Sequence, residues 1–444
     1  MKFPCRHGAT AWLGVAITSM AFMGAYAFLI VLSRAPGFNM LFTEQDFFKT
    51  ALVTHVVLAV VIWFLAFAIF LMYYVTADRQ TPRHELFAAG GALMGVLFIV
   101  ATPFSGPAFP QLNNYVPVLN APLYFTGLLV FFVSAILGFV FRAPAVYEAT
   151  VKSKAVEASE GGALLLAGFA LVVAVTCFAL AAVELNSTPG MDVSRLFFES
   201  LFWGGGHVLQ FANTAGMMAA WAILGRSLSG GAVVKEKAAW LVFAAMALFI
   251  VAGPLYYAKA PVVSTEHRTF FLLLKGWGLS FGPVVFGYAV ASRWSAIGGK
   301  GSASLGLLAS ITLFALGGFI SLTIEGSDTR IPAHYHGVIG AVTLAFMTMG
   351  LSAMTENGRL AVSEKWKKFQ LGLYGVGQAM FVIGLFIGGT RGLPRKTFGQ
   401  AQELDDAMKV LGMGVMGIGG ALAITSGAIF VVFMIKALAK RTDA

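Results

Sequence analysis

Two histidines, His334 and His336, stand one residue apart in the stretch RIPAHYH, directly before the apolar run GVIGAVTLAFMTMG. Two residues of α-helix turn through about 200°, so these imidazoles leave a helix on opposite faces and serve different sites. Two more histidines lie in apolar surroundings, His55 in ALVTHVVLAVVIWFLAF and His207 in LFWGGGHVLQFANTAGMMAAW. The chain has seven histidines in all; His7 and His84 fall in charged segments, and His267 follows Glu266 in STEHRTFF. Neutral imidazole is the commonest side-chain ligand of transition metals. Four such rings in apolar sequence therefore point to metal or metal-cofactor binding.

The elements that must carry them follow from composition. The 444 residues are 58% hydrophobic and 11% charged, with a mean hydropathy of +0.81. That composition predicts an all-α, polytopic membrane protein, because a helix satisfies its own backbone hydrogen bonds inside lipid. A β-barrel would show short alternating segments, whereas these runs are long and continuous. Twelve runs can span about 30 Å of hydrocarbon, at 10–33, 51–77, 85–104, 120–143, 161–184, 197–225, 237–256, 268–292, 304–324, 334–356, 368–389 and 408–437. The links between them are short, there is no convincing internal repeat, and residues 1–444 read as a single twelve-helix domain. The first run lacks a clear small-residue cleavage site and reads as a helix rather than a removed signal. The two cysteines, Cys5 and Cys177, exclude a c-type heme attachment motif, a thiolate cluster and a disulfide framework.

The net charge of +10 is distributed as in membrane loops and is no nucleic-acid signature. With both termini on one side, that side holds 19 of the 30 basic residues and the other holds ten, with Lys275 inside a span. The asymmetry makes the termini cytoplasmic and the even-numbered helices start at the outer face. His55, His207, His334 and His336 then share one level near that face, and His267 starts helix 8 close by. A histidine at membrane depth faces the bundle and has a partner. Four at one level favour ligation, and imidazole is an axial ligand of heme iron. One ring from helix 2 and one from helix 10 can clamp a heme, leaving the other helix-10 ring for a second heme.

This arrangement resembles the main subunit of the heme–copper oxidase superfamily, which includes oxygen and nitric oxide reductases. The resemblance spans the chain: twelve helices, a histidine in helices 2 and 6, the H-x-H of AHYHGVIGAVTLAFMTMG, and GLPRK at 392–396, similar to the family's G-x-P-R-R. It implies that His55 and His336 ligate a low-spin b-type heme and that His334 is the proximal ligand of a high-spin b-type or related heme. It also implies that His207 holds a nonheme metal, iron or copper, on that heme's open side. Arg395 and Lys396 then pair with heme carboxylates.

The sequence departs from the family at the nonheme metal. The resemblance implies two adjacent histidines between helices 7 and 8, yet Tyr256 and Tyr257 fill those places. Phe211 stands where oxygen reductases often carry a tyrosine and nitric oxide reductases can carry a glutamate. Gln210, on the His207 face, Tyr256, Tyr257 and Glu266 are the residues that could complete the site, with Asn213 and His267 near it. Lys275, in RTFFLLLKGWGLSFGP, sits inside a span, where a charge is a functional candidate. It could donate protons or ligate when neutral; its alternatives are to snorkel outward or to pair with Glu266.

These features predict reduction of nitric oxide to nitrous oxide, with terminal oxygen reduction, or a non-catalytic heme electron conduit or gas sensor, as alternatives. Electrons must come from elsewhere, from a cytochrome c or cupredoxin-like subunit or from a quinol. Glu184, Glu199 and Glu325 lie near outer helix ends and no acidic file rises from the cytoplasm, so protons are expected from outside, without pumping. The expected location is a bacterial-type cytoplasmic membrane.

Overall fold

Twelve helices follow one another along the computed structural model, which describes residues 7–38 and 45–440. Lys2, Cys5, Arg6 and Arg441 lie outside the described residues. Each helix is long and apolar enough to cross a membrane: α1 His7–Arg34, α2 Asp46–Val75, α3 Arg83–Phe104, α4 Pro122–Lys152, α5 Ala158–Ser187, α6 Arg195–Ser229, α7 Glu236–Tyr256, α8 Thr265–Ala291, α9 Gly301–Ser321, α10 Arg330–Glu356, α11 Glu364–Thr390 and α12 Ala407–Ala439. Eleven of the helices begin earlier than their apolar runs, α4 being the exception, because polar residues build their first turns. Ser194, Ser264 and Asp406, for instance, accept hydrogen bonds from the free N–H groups of Phe197, His267 and Met408.

The largest difference from the expected spans is at the end of α4, which continues past Arg142 to Lys152. Arg142 is 2% exposed and donates to the Thr76 hydroxyl at 2.8 Å, the Thr76 carbonyl at 2.6 Å and the Gln80 carbonyl at 3.1 Å, with Glu85 at 3.6 Å. A charge at the very end of the expected span here ties together the ends of α2, α3 and α4. Between α3 and α4 the chain forms a small antiparallel hairpin, β1 Phe109–Gln111 with β2 Val118–Asn120, in which Pro110 faces Leu119.

The three spans that carry the candidate ligands are also the most enclosed. Protein covers 89% of the apolar window of α2, 94% of α6 and 83% of α10, and no more than 50% of any other span. The remaining helices therefore carry the lipid-facing surface.

By its internal contacts the chain divides into two compact units, residues 1–19 with 56–297 and residues 20–55 with 298–444. In the first, α6 packs on α5 and α8. The run Gly204–Gly205–Gly206 has no side chains because Tyr257 and Phe271, Phe178, and Tyr115 press on it in turn. Within α2, residues Val57–Trp63 form a wide π turn, a feature frequent at functional sites. The Ser19 hydroxyl and the Asn213 amide reach the Leu58 and Val60 carbonyls there, at 2.8 and 3.1 Å.

In the second unit α9, α10, α11 and α12 enclose a core of Ile320, Ala333, Val382, Leu385, Leu393, Met413 and Met416. Lipid is as apolar as such a core, so close backbone approach and van der Waals contact hold these helices together. One such close approach joins α9 to α10: a Cβ on Gly337 would lie 2.6 Å from Gly317 Cα, and one on Gly317 would lie 2.7 Å from Val338 N. Neither helix can move aside without losing the contact. We expect Gly317→Val to destabilise the protein by about 3 kcal/mol, the upper range for overpacking. Gly318→Val, whose side chain would meet nothing within 4 Å, is the matched control and should leave the melting point unchanged. Size-exclusion after stepwise heating distinguishes the two.

Candidate functional site

The close approach of α9 and α10 sets the first histidine. Nδ1 of His334 lies 2.8 Å from the Gly317 carbonyl. A carbonyl only accepts, so Nδ1 carries the hydrogen and Nε2 carries the lone pair. The next ring, His336, faces another neighbour: it stands edge-on to Phe381 of α11 with centroids 4.7 Å apart, and Gln378 of α11 donates to its carbonyl at 2.8 Å. The two imidazoles thus address α9 and α11 separately.

His55 joins the His336 side. Its Nδ1 donates to the Met23 carbonyl at 2.9 Å, again leaving Nε2 with the lone pair. Charge interactions link His336 to His55 and to Arg34. Arg34, the last residue of α1, is buried, and its Nε and Nη2 have no hydrogen-bond partner among the described residues. An unpaired guanidinium is expensive to bury, so this pocket calls for an anionic group. Sequence reading missed Arg34, which counts there as one more loop charge. Tyr335 lies within electrostatic reach of both Arg34 and Arg395.

The 391–398 loop is fastened beside the start of α10. Thr329 N–H donates to the Leu393 carbonyl at 3.0 Å, Asp328 bridges to Pro394, and Arg395 Nε donates to Ser327 Oγ at 3.2 Å. Lys396 adopts a left-handed conformation, φ 61°, which a non-glycine residue holds only where its surroundings enforce it. Arg330 clamps Asp328 through 3.1, 3.1 and 2.7 Å hydrogen bonds. Burial alone would raise the Asp328 carboxyl, but these bonds and the guanidinium charge outweigh it and hold it below its ordinary range. Glu325 is exposed, 3.7 Å from Arg330.

The other unit holds His207, fully buried in α6. Its Nδ1 lies 2.6 Å from the Trp203 carbonyl, so its lone pair is on Nε2. Nε2 lies 2.6 Å from the hydroxyl of Tyr115, a residue in the β1–β2 turn that the sequence did not single out. Lys275 Nζ lies 3.4 Å from the same hydroxyl; Glu266, its expected alternative partner, is exposed and does not reach it. Tyr115 enters with φ 64°, and its neighbour Asn114 donates to the Glu199 carboxylate from N at 2.9 Å and Nδ2 at 2.6 Å. Burial, and then the Glu199 charge, push the Tyr115 phenol above its ordinary range, so it keeps its proton.

The remaining candidates do not converge on His207. Gln210 Oε1 accepts from Asn213 at 3.3 Å. Tyr256 stacks on Phe270 at 3.8 Å. Tyr257 stands edge-on to His267 at 4.8 Å, its buried hydroxyl without a partner among the described residues. Phe271 packs against both histidines, 6.0 Å from His207 and 4.8 Å from His267. Glu184 accepts from Val262 N at 2.8 Å. Among the described residues no group of three or more His, Cys, Asp or Glu side chains could hold a metal ion.

Known proteins show the same plan. The family model described as "Cytochrome C and Quinol oxidase polypeptide I" matches residues 8–422. An uncharacterized protein of Rickettsia prowazekii (strain Madrid E) is 26% identical over 493 residues, covering 95% of this chain and 94% of that one. An uncharacterized protein of Aquifex aeolicus (strain VF5) is 29% identical over 366 residues, covering 81% and 87%. The fold matches a heme-copper terminal oxidase solved by cryo-EM, with TM-score 0.74 and 16% identity over 98% of this chain and 84% of that one.

The Glu199–Asn114 clamp is testable directly. Hydrogen bonds to a charged group contribute about 1.5–3 kcal/mol. We expect Glu199→Ala to speed hydrogen exchange of the Asn114 and Tyr115 amides by about 10- to 100-fold, leaving α9–α12 amides unchanged.

Proposed function

Since the chain belongs to the cytochrome c and quinol oxidase polypeptide I family, we propose that it reduces nitric oxide to nitrous oxide. Family membership makes it a multi-pass membrane oxidoreductase of the heme–copper oxidase superfamily; the substrate is our reading. The observation that carries it is the division of tasks on α10. His336 stands against Phe381 of α11, within electrostatic reach of His55 and Arg34, and His334 faces α9.

That pocket fits a heme. His55 presents an oriented Nε2 lone pair, and Arg34 carries buried donors, Nε and Nη2, that have no partner among the described residues and suit a carboxylate. His55 and His336 would hold a low-spin b-type heme, with Arg34, Arg395 and Lys396 as the basic groups toward its propionates. His334 would hold a high-spin b-type or related heme. When bound, the two groups supply electron transfer and a gas-binding iron. The chain's own part is to hold the His55 and His334 imidazoles in one tautomer by backbone carbonyls, so that neither ring must turn before ligation.

Three residues favour nitric oxide over oxygen as substrate. Phe211 has no hydroxyl, and Tyr256 and Tyr257 stand where the resemblance implies a histidine pair. A copper site of three imidazoles does not fit these residues. The reaction 2 NO + 2 e⁻ + 2 H⁺ → N2O + H2O asks for two electrons and two protons, without four-electron cleavage of oxygen. Oxygen reduction is the second reading, favoured by the family description itself. A cytochrome c or cupredoxin-like subunit, or a quinol, would supply electrons. The charge asymmetry supports a bacterial-type cytoplasmic membrane with both termini cytoplasmic, and an outer-facing site would draw protons from outside without pumping.

Substitution and turnover test this reading together. His55→Ala and His336→Ala should each abolish the bis-histidine low-spin spectrum, and His334→Ala should remove the high-spin component while sparing it. Survival of both spectra through all three changes would overturn the heme assignment. Purified protein should consume nitric oxide when given a reductant; rapid oxygen consumption without nitric oxide turnover would select the second reading.

A further inference from the structure

The donors around His207 do not fit the metal that its position implies. A ligating imidazole offers the metal its lone pair, and here the only lone pair, on Nε2, already accepts a hydrogen bond from Tyr115 at 2.6 Å. Of the other donors, the His267 ring nitrogens and the Tyr257 hydroxyl are buried without a partner among the described residues and make no hydrogen bond to His207. Gln210 is engaged by Asn213, and the Phe271 ring packs against both His207 and His267.

The placement of Tyr115 is built, not incidental. The β1–β2 hairpin brings the turn back to α6. Asn113 Nδ2 donates to the Val116 carbonyl at 2.5 Å, and Glu199 takes two hydrogen bonds from Asn114. The backbone accepts a left-handed conformation at a residue with a large side chain, and a side chain at Gly206 would strike Tyr115. The Tyr115 ring packs at 4.1 Å from His207 and perpendicular to Trp203 at 5.8 Å. The hydrogen bonds then run one way: Lys275 donates to the phenol oxygen, the phenol donates to Nε2, and Nδ1–H donates to the Trp203 carbonyl.

We infer that Tyr115 stands at His207 where a metal would sit, so that this site carries no nonheme metal and presents a phenolic hydroxyl backed by Lys275 in its place. Such a site offers a small ligand hydrogen-bond donors rather than a Lewis acid. The inference concerns the donors alone and holds whether the substrate is nitric oxide or oxygen.

The test combines metal counting with vibrational spectroscopy on the purified, heme-loaded protein. The wild type and His207→Ala are incubated with cupric, zinc or ferrous ion, desalted and analysed for total metal. The expected result is the same nonheme metal content in both; one equivalent kept by the wild type and missing from His207→Ala would overturn the inference. The C–O stretch of Tyr115, isolated as the infrared difference between wild type and Tyr115→Phe, should shift in His207→Ala and again in Lys275→Met. A band that stays put in either variant overturns the chain of donors. Heme absorption in the same samples reports separately on the heme assignment: protein without heme would sink that reading and leave the metal comparison valid.

Discussion

An imidazole inside a membrane helix needs a partner for its N–H before its other nitrogen can do anything useful. No water is present to take that hydrogen, and an unsatisfied donor in lipid costs several kcal/mol. Three histidines meet the requirement in the same way. His55, His207 and His334 each give Nδ1–H to a backbone carbonyl, of Met23, Trp203 and Gly317, at 2.9, 2.6 and 2.8 Å. The bond fixes the tautomer and the ring plane together, and each Nε2 is left as an oriented lone pair. What happens at that lone pair then decides what each site can be.

The carbonyls are within reach because glycines let backbones come close. Gly317 supplies the acceptor for His334 and is also the residue whose missing side chain admits α10. Packing and ligand orientation are therefore one feature, so a substitution that spreads α9 from α10 also releases the ring. At His207 the glycine run serves a different end. Gly206 yields its space to Tyr115, and the lone pair that ligation would need is occupied by a hydroxyl. The same local chemistry thus gives a ring whose tautomer a carbonyl sets at His334 and a ring capped by a hydroxyl as well at His207.

These outcomes were unequally legible in the sequence. The twelve helices follow from apolar runs that have no other soluble or barrel reading. The opposed faces of His334 and His336 follow from helical rotation, whatever their neighbours turn out to be. Lys275 stands out because a charge in an apolar span is rare, but its partner does not, since Tyr115 lies 160 residues away in a turn. The stretch QLNNYVPVLN has no helical period, and nothing in it distinguishes Tyr115 from the ten other tyrosines. Arg34 and Arg142 were hidden for a related reason. Hydropathy marks a helix-end charge but not its surroundings, and only side-chain burial shows that Arg142 knits three helices while Arg34 is enclosed with Nε and Nη2 unpartnered among the described residues.

Arg34 and Lys275 are both basic side chains enclosed by protein, and the contrast between them separates a completed site from an incomplete one. Lys275 has a protein acceptor in the Tyr115 hydroxyl, and the chain of donors beyond it ends on a carbonyl, so every group in the series is paired within the protein. Arg34 has guanidinium hydrogens on Nε and Nη2 with no acceptor among the described residues. Buried polar groups in native proteins are paired as a rule, and an exception asks for a missing ligand. Under the proposed function a heme carboxylate would pair with that guanidinium. The His207 ring is itself paired at both nitrogens, whereas the His267 ring and the Tyr257 hydroxyl near it have no partner among the described residues, so the two regions differ in which groups they leave for a ligand.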